Sequence, residues 1–142
     1  MSKISIQPAL YEALEQKFGE GEGRQWIMRK AAEAKLGGKP RVGAYVRELA
    51  YLEILPKNIM KGYELNLDKH DISYRIKGGH STTATIPAAL KYYLEQITDD
   101  NVSIFISKVA NQFHEMKESS DTTFDISFYV RESIIYSIIN DR

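Results

Sequence analysis

Apolar residues recur at helical spacing along most of the chain. Leu10, Leu14 and Phe18 are four residues apart, and Val42 and Val46 begin a similar series. Proline and glycine residues mark the ends of these segments. The pattern predicts helices over residues 9–18, 24–36, 41–55, 87–97 and 102–113, and a further helix over 131–140, whose isoleucines would also fit a strand.

Five other segments alternate apolar and polar residues with the two-residue period of a half-buried strand. The alternation predicts short strands over residues 3–7 and 82–86, a hairpin made by 63–67 and 72–76, and a C-terminal strand over 124–130. The chain is therefore expected to be an α+β protein that is rich in helix.

Two parts of the chain resemble each other. Residues 5–16 align with residues 85–96 at a constant offset of 80, and six of the twelve pairs are identical. Residues 42–50 align with residues 102–110 at an offset of 60, with matching apolar positions. Each copy then consists of a strand and two helices, and the first copy contains a 20-residue insertion. Helix 24–36, which lies in that insertion, remains an alternative second helix of the first copy.

A short strand that leads through a proline into a Leu-rich helix and then a second helix resembles the ribbon-helix-helix family of DNA-binding proteins. The resemblance covers residues 3–55 and 81–113 and includes the pairs Tyr45-Val46 and Phe105-Ile106. It implies that two units pair and that their strands form an antiparallel ribbon, which enters the major groove. The two copies would pair within one chain or between two chains as a homodimer.

Under this resemblance the chain has four parts. They are a first copy with a basic helical insertion over residues 1–56, a β-hairpin connector over 57–80, a second copy over 81–118, and a C-terminal strand and helix over 119–142.

The resemblance also implies which residues contact DNA. The outward side chains of the two ribbon strands would read bases, because Lys, Gln, Ser and Thr can contact base edges. These residues are Lys3, Ser5, Gln7, Thr83 and Thr85.

Phosphate contacts are expected at the start of each second helix, where backbone N–H groups and the helix dipole favour an anion. These positions are Arg41, Val42 and Gly43 in the first copy and Asn101, Val102 and Ser103 in the second. The basic helix would add contacts that position the protein without reading sequence, from Arg24, Arg29, Lys30, Lys35 and Lys39.

The charge is unevenly distributed. The 142 residues carry 19 Lys and Arg and 19 Asp and Glu, and a net charge of zero argues against bulk electrostatic coating of nucleic acid. Residues 1–62, however, carry 11 basic and 7 acidic residues, whereas residues 63–142 carry 8 and 12. Residues 24–47 carry seven basic residues and one acid, Glu33. This distribution indicates a local DNA-binding face on the first copy, beside an acidic body.

Several kinds of chemistry find no support in the sequence. The chain has no cysteine, its three histidines lack a metal-binding spacing, and it has no complete phosphate loop or nucleophile–base pair. No apolar run approaches the ~18 residues of a membrane span. We therefore expect a non-enzymatic cytoplasmic protein with no cofactor, metal, membrane or small-molecule substrate.

The leading hypothesis is a sequence-specific double-stranded DNA-binding protein, such as a transcriptional repressor or a plasmid or phage accessory factor. Two alternatives stay open. Three strands and a helix over residues 63–97 would resemble an AP2-type DNA-binding module, with Arg75 and Lys77 facing the groove. The acidic C-terminal half would also suit a protein-interaction or inhibitor module that contacts a basic partner.

Overall fold

The computed structural model of this protein describes residues 4–75, 81–99, 101–119 and 126–140. Helices make up 66% of these residues, and the remainder includes a small antiparallel sheet. The elements in chain order are α1 (Pro8–Phe18), α2 (Glu22–Leu36), α3 (Val42–Ile54), β1 (Lys69–Arg75), β2 (Ser81–Pro87), α4 (Ala88–Ile97), α5 (Val102–Ser119) and α6 (Ile126–Asn140).

The helices that the apolar spacing predicts are confirmed. Pro8 is the first residue of α1, where its missing N–H has no helical partner to lose. The predicted helices 24–36 and 41–55 correspond to α2 and α3, and α5 continues six residues beyond residue 113. Helical periodicity therefore locates most of the core-forming segments.

Three predicted strands are wrong where the structure describes them. Residues 4–7 and 63–67 lie in no strand, and residues 126–130 form the first turns of α6. Val130, Ile134 and Ile138 are four residues apart and buried, so a helix places them on one face toward the core. A strand there would bury alternate residues instead.

The sheet pairs β1 with β2, so the ribbon expected between residues 3–7 and 82–86 does not form within the described residues. Residues 72–76 were expected to pair with 63–67, but β1 pairs with β2 instead. Ile72 lies opposite Ala84 and His70 lies opposite Ile86. Ala84 and Ile86 are fully buried, whereas Asp71, Ser73 and Thr83 on the other face of the sheet are exposed.

Helix α1 lies at the centre of the core. Ala9, Leu10, Ala13 and Leu14 are fully buried, and α1 packs against α2, α3 and α6. Helix α5 packs against β1 and α6, so the second half of the chain is joined to the same core. No helix in the described residues is long and apolar enough to cross a membrane.

The turn between α1 and α2 is fixed by Glu15. Its two carboxylate oxygens accept hydrogen bonds from the backbone N–H groups of Gly21, at 2.9 Å, and Gly23, at 2.6 Å. Burial tends to raise the pKa of Glu15, but these N–H groups outweigh it and the pKa is lowered. Trp26, one turn further on, is buried and stacks on Phe18 with ring centroids 6.0 Å apart. The start of α2 is therefore held tightly against the end of α1.

Replacing Gly23 with alanine is expected to destabilise the protein by about 1–3 kcal/mol. A Cβ atom there would lie 2.7 Å from Glu15 Oε2 and 2.9 Å from the Glu15 backbone nitrogen, and the latter cannot move easily. Urea unfolding measures the change. Gly37→Ala is the matched control, because a Cβ there meets its nearest atom at 3.4 Å. Equal stabilities of the two variants would contradict the close packing at Gly23.

Candidate nucleic-acid interface

Helix α2 places its basic residues away from the core. Trp26, Ile27 and Ala34 are buried against the rest of the protein, and the opposite face of the helix is exposed. The exposed basic residues of α2 and of the turn that follows it are Arg24, Arg29, Lys35, Lys39 and Arg41. We call these five residues the basic surface.

Most of the basic surface has no acidic partner. In the described part of the chain, no carboxylate oxygen lies within 4.0 Å of the side-chain nitrogens of Arg24, Arg29, Lys35 or Lys39. Arg41 lies 3.8 Å from Asp68 and also donates to a backbone carbonyl. Lys39 has its Nζ 5.5 Å from the centroid of the Tyr45 ring. The four residues without a carboxylate partner are nevertheless exposed, so an anionic ligand can reach them.

Lys30, the remaining predicted phosphate contact on α2, is placed differently. It is half-buried, lies 3.3 Å from the Glu33 carboxylate, and has its Nζ 6.0 Å from the centroid of the Trp26 ring. Its charge is partly neutralised within the helix, so its expected contribution to phosphate binding is smaller than that of Arg24.

The two predicted helix starts are present. Arg41, in a left-handed conformation, precedes α3, so Val42 and Gly43 occupy its first turn, as expected. The Arg47 guanidinium lies beside Gly43, 3.3 Å from where a Cβ would be.

At the start of α5, Asn101 is exposed and Val102 is buried. The hydroxyl of Ser103 donates to the backbone carbonyl of Ser73 at 2.6 Å, which occupies it within the protein.

The predicted base-reading residues do not come together on one ribbon. Lys3 lies outside the described residues. Ser5 is exposed, but Gln7 is half-buried and its amide oxygen accepts a hydrogen bond from Tyr51, so the prediction that Gln7 points outward is wrong. Thr83 is exposed on β2.

Thr85 is half-buried and engaged on three sides. Its hydroxyl donates to the Asp71 carboxylate at 2.6 Å. Its backbone N–H donates to the Ser127 hydroxyl at 2.8 Å, and its carbonyl accepts from Arg131 at 3.2 Å. The free edge of β2 is therefore covered by α6 at this residue.

The hydrogen bond from an arginine to a backbone carbonyl ahead of a helix recurs in the first half of the chain. Arg47 of α3 donates to the carbonyl of Ser5 at 3.2 Å, as Arg131 of α6 donates to the carbonyl of Thr85. Each arginine thus holds the extended residues that precede α1 or α4.

A second pair of contacts joins the two halves. Glu132 of α6 accepts hydrogen bonds from the N–H of Ala9 at the start of α1, with both oxygens 3.1 Å away. Glu48 of α3 lies at the start of α4, 3.5 Å from the N–H of Ala89, and accepts a hydrogen bond from the Tyr63 hydroxyl at 2.8 Å. Each carboxylate lies where the helix dipole favours negative charge.

These contacts correspond to a sequence signal that the alignment of residues 42–50 with 102–110 missed. Residues 45–48 and 129–132 both read Tyr-Val-Arg-Glu, at an offset of 84. An identical tetrapeptide is a stronger match than shared apolar positions. Searching for it would have related α3 to α6 and identified residues 126–140 as a helix.

Glu48 is expected to make stability depend on pH. Burial raises the pKa of Glu48 above its ordinary value of 4.5, although its hydrogen bonds oppose the shift. A raised folded-state pKa means that stability is full below pH 4.5 and falls as the pH rises through the folded-state pKa. Relative to Glu48→Gln, the wild-type protein should therefore lose stability from pH 4.5 upward. Urea unfolding across this range measures the difference, and a pH-independent difference would contradict the interpretation.

The described residues provide no metal site, since no group of three His, Cys, Asp or Glu side chains could hold an ion there. His114 instead pairs with the Tyr74 hydroxyl at 3.1 Å. Comparison of the chain with protein-family models, with curated proteins and with solved structures found no match.

Proposed function

We propose that this protein binds double-stranded DNA in a sequence-specific manner, as a transcriptional repressor or a plasmid or phage accessory factor, and that the basic surface contacts the phosphates. The observation that carries the proposal is the set of four exposed cations on α2 and its following turn that have no carboxylate partner among the described residues. DNA carries one phosphate charge per about 1.7 Å of helix axis, so several cations on one part of the surface can neutralise several phosphates at once.

We infer that the two halves of the chain are related units paired within one molecule. Helices α1, α2 and α3 begin 80, 80 and 84 residues before α4, α5 and α6. In each half, an arginine of the third helix, Arg47 or Arg131, donates a hydrogen bond to the extended residues of its own half. The glutamate that follows each arginine lies at the start of the first helix of the other half. This reciprocity favours α2, rather than α3, as the counterpart of α5.

The two units differ in charge at equivalent positions. The 80-residue offset places Ile104 of α5 where α2 has Arg24, and Glu115 where α2 has Lys35. Ile104 is 60% exposed, so this part of α5 presents apolar surface. The difference supports one DNA-binding face per chain, on the first unit.

Selection of bound sequences from a random duplex library tests the proposal. The protein is incubated with the library at about 50 mM salt, and bound DNA is recovered, amplified and sequenced over several rounds. We expect one enriched motif. The absence of binding at this salt concentration would refute the proposal, and a copurifying protein partner without DNA affinity would favour the interaction-module alternative.

A further inference from the structure

We propose that α2 enters the major groove and that Gln25 and Arg29 read base edges there, in place of the ribbon residues that the family resemblance implies. This inference rests on the proposed DNA-binding function and concerns the residues that give it sequence preference.

The connection between α1 and α2 has the length of the turn in a helix-turn-helix motif. The three residues Gly19, Glu20 and Gly21 join the two helices, and a short glycine-containing turn of this length is typical of that motif. In DNA-binding examples the second helix lies in the major groove. The two backbone bonds of Glu15 and the close packing at Gly23 fix the start of α2 on α1, so the exposed face of α2 has a defined direction.

The exposed face of α2 carries suitable chemistry. Gln25 and Arg29 are one helical turn apart and both exposed, so their side chains lie on the same side. Glutamine can bond adenine through two hydrogen bonds, and arginine can bond guanine in the same manner. Met28, which is 55% exposed, and Ala32 lie beside Gln25 on the same face and can contact thymine methyl groups.

One flank of this face can hold the DNA backbone, whereas the exposed Glu22 and Glu33 lie on the other flank. At 100° per residue, Arg24 and Lys35 lie within about 20° of each other around the helix axis, to one side of Met28. A helix of 15 residues is about 22 Å long, and the major groove, about 12 Å wide, admits a helix. The arrangement thus separates base-reading groups in the middle from phosphate-binding groups at the side.

The ribbon is less available for reading bases. The Thr85 hydroxyl donates to the Asp71 carboxylate, so both side chains are engaged with each other across the ribbon. On the outer side of β1, the hydroxyl of Ser103 bonds the Ser73 carbonyl, and the hydroxyl of Ser107 bonds the Arg75 carbonyl. These hydrogen bonds already occupy polar groups of the ribbon within the protein.

The test compares two variants on the DNA motif that the wild-type protein selects. The first variant combines Gln25→Ala with Arg29→Lys. It keeps the charge of α2 but removes the bidentate hydrogen bonds to adenine and guanine. The matched control is Ser5→Ala combined with Thr83→Ala, which changes the exposed residues of the extended segment and ribbon. Fluorescence anisotropy gives the affinity of each for the selected duplex and for a scrambled duplex.

We expect the α2 variant to lose at least 10-fold in the ratio of specific to scrambled affinity, with its scrambled-duplex affinity changed by less than about 3-fold. The control variant should keep the wild-type ratio. A loss confined to the control variant, an equal loss on both duplexes, or wild-type binding without a motif would overturn the inference while leaving DNA binding intact. A wild-type protein that binds neither duplex would instead refute the proposed function.

Discussion

Glu48→Ala is expected to lower the free energy of unfolding by about 2–3 kcal/mol. Glu48 is only 4% exposed. Its side chain extends from α3 to the N–H of Ala89 and the hydroxyl of Tyr63. Truncation would leave that N–H and hydroxyl without their acceptor in a buried place, and it would open a cavity between the two halves. Burial raises the pKa of Glu48 because the buried charge is unfavourable. Removing that charge therefore offsets part of the lost free energy of unfolding.

Urea unfolding at pH 7 measures the effect, and two variants serve as controls. Glu48→Gln keeps an oxygen acceptor of similar shape and should cost less than about 1 kcal/mol. Glu33→Ala removes an exposed carboxylate that pairs with Lys30 and should change stability by less than about 0.5 kcal/mol. A loss at Glu48 no larger than that at Glu33 would show that Glu48 does not help to join the halves.

Replacing Arg24, Lys35 and Lys39 together with glutamine is expected to weaken binding to any duplex on the order of 10- to 100-fold. Each exposed cation that contacts a phosphate releases about one counterion. The slope of log K against log salt should therefore also become less negative by about 2–3. The ranking of DNA sequences should not change, since phosphate contacts carry no base information.

The matched control removes the same charge elsewhere. Lys57, Lys61 and Lys108 are exposed and lie outside the basic surface, so their replacement with glutamine gives an equal change in net charge. Anisotropy titrations at several salt concentrations compare the two triple variants. If both lose the same affinity, DNA is bound by general charge attraction and the basic surface has no special role.

The sequence predicts the helices well because their signals are local. Pro8 and the spacing of Leu10 and Leu14 are sufficient to place α1, and the glycines at 37 and 38 predict the end of α2. The exposed basic face of α2 also follows from the sequence, since its apolar residues define the buried side.

Strand pairing was predicted poorly because it depends on residues that are distant in the chain. The alternation of Ile72 and Tyr74 correctly indicates β1, but nothing local distinguishes residues 63–67 from residues 81–87 as its partner. The choice is made by burial: Ala84 and Ile86 are fully buried, whereas Leu65 is 41% exposed.

The orientation of Gln7 shows a similar limit. Strict alternation with Ile4 and Ile6 places its side chain outward, but the residues ahead of α1 form no strand. The Gln7 amide oxygen instead accepts a hydrogen bond from the buried Tyr51 hydroxyl, 44 positions further along the chain. A distant polar group that needs a partner can override a local period, and the sequence contains no sign of it.

The most direct test of DNA binding by the basic surface is the salt dependence of wild-type affinity for a 30-base-pair duplex, measured by anisotropy from about 50 to 200 mM salt. Three or four phosphate contacts, from the residues of the basic surface other than Arg29, predict a slope of log K against log salt of about −2.7 to −3.6. A slope near zero, or no binding at the lowest salt concentration, would contradict the account.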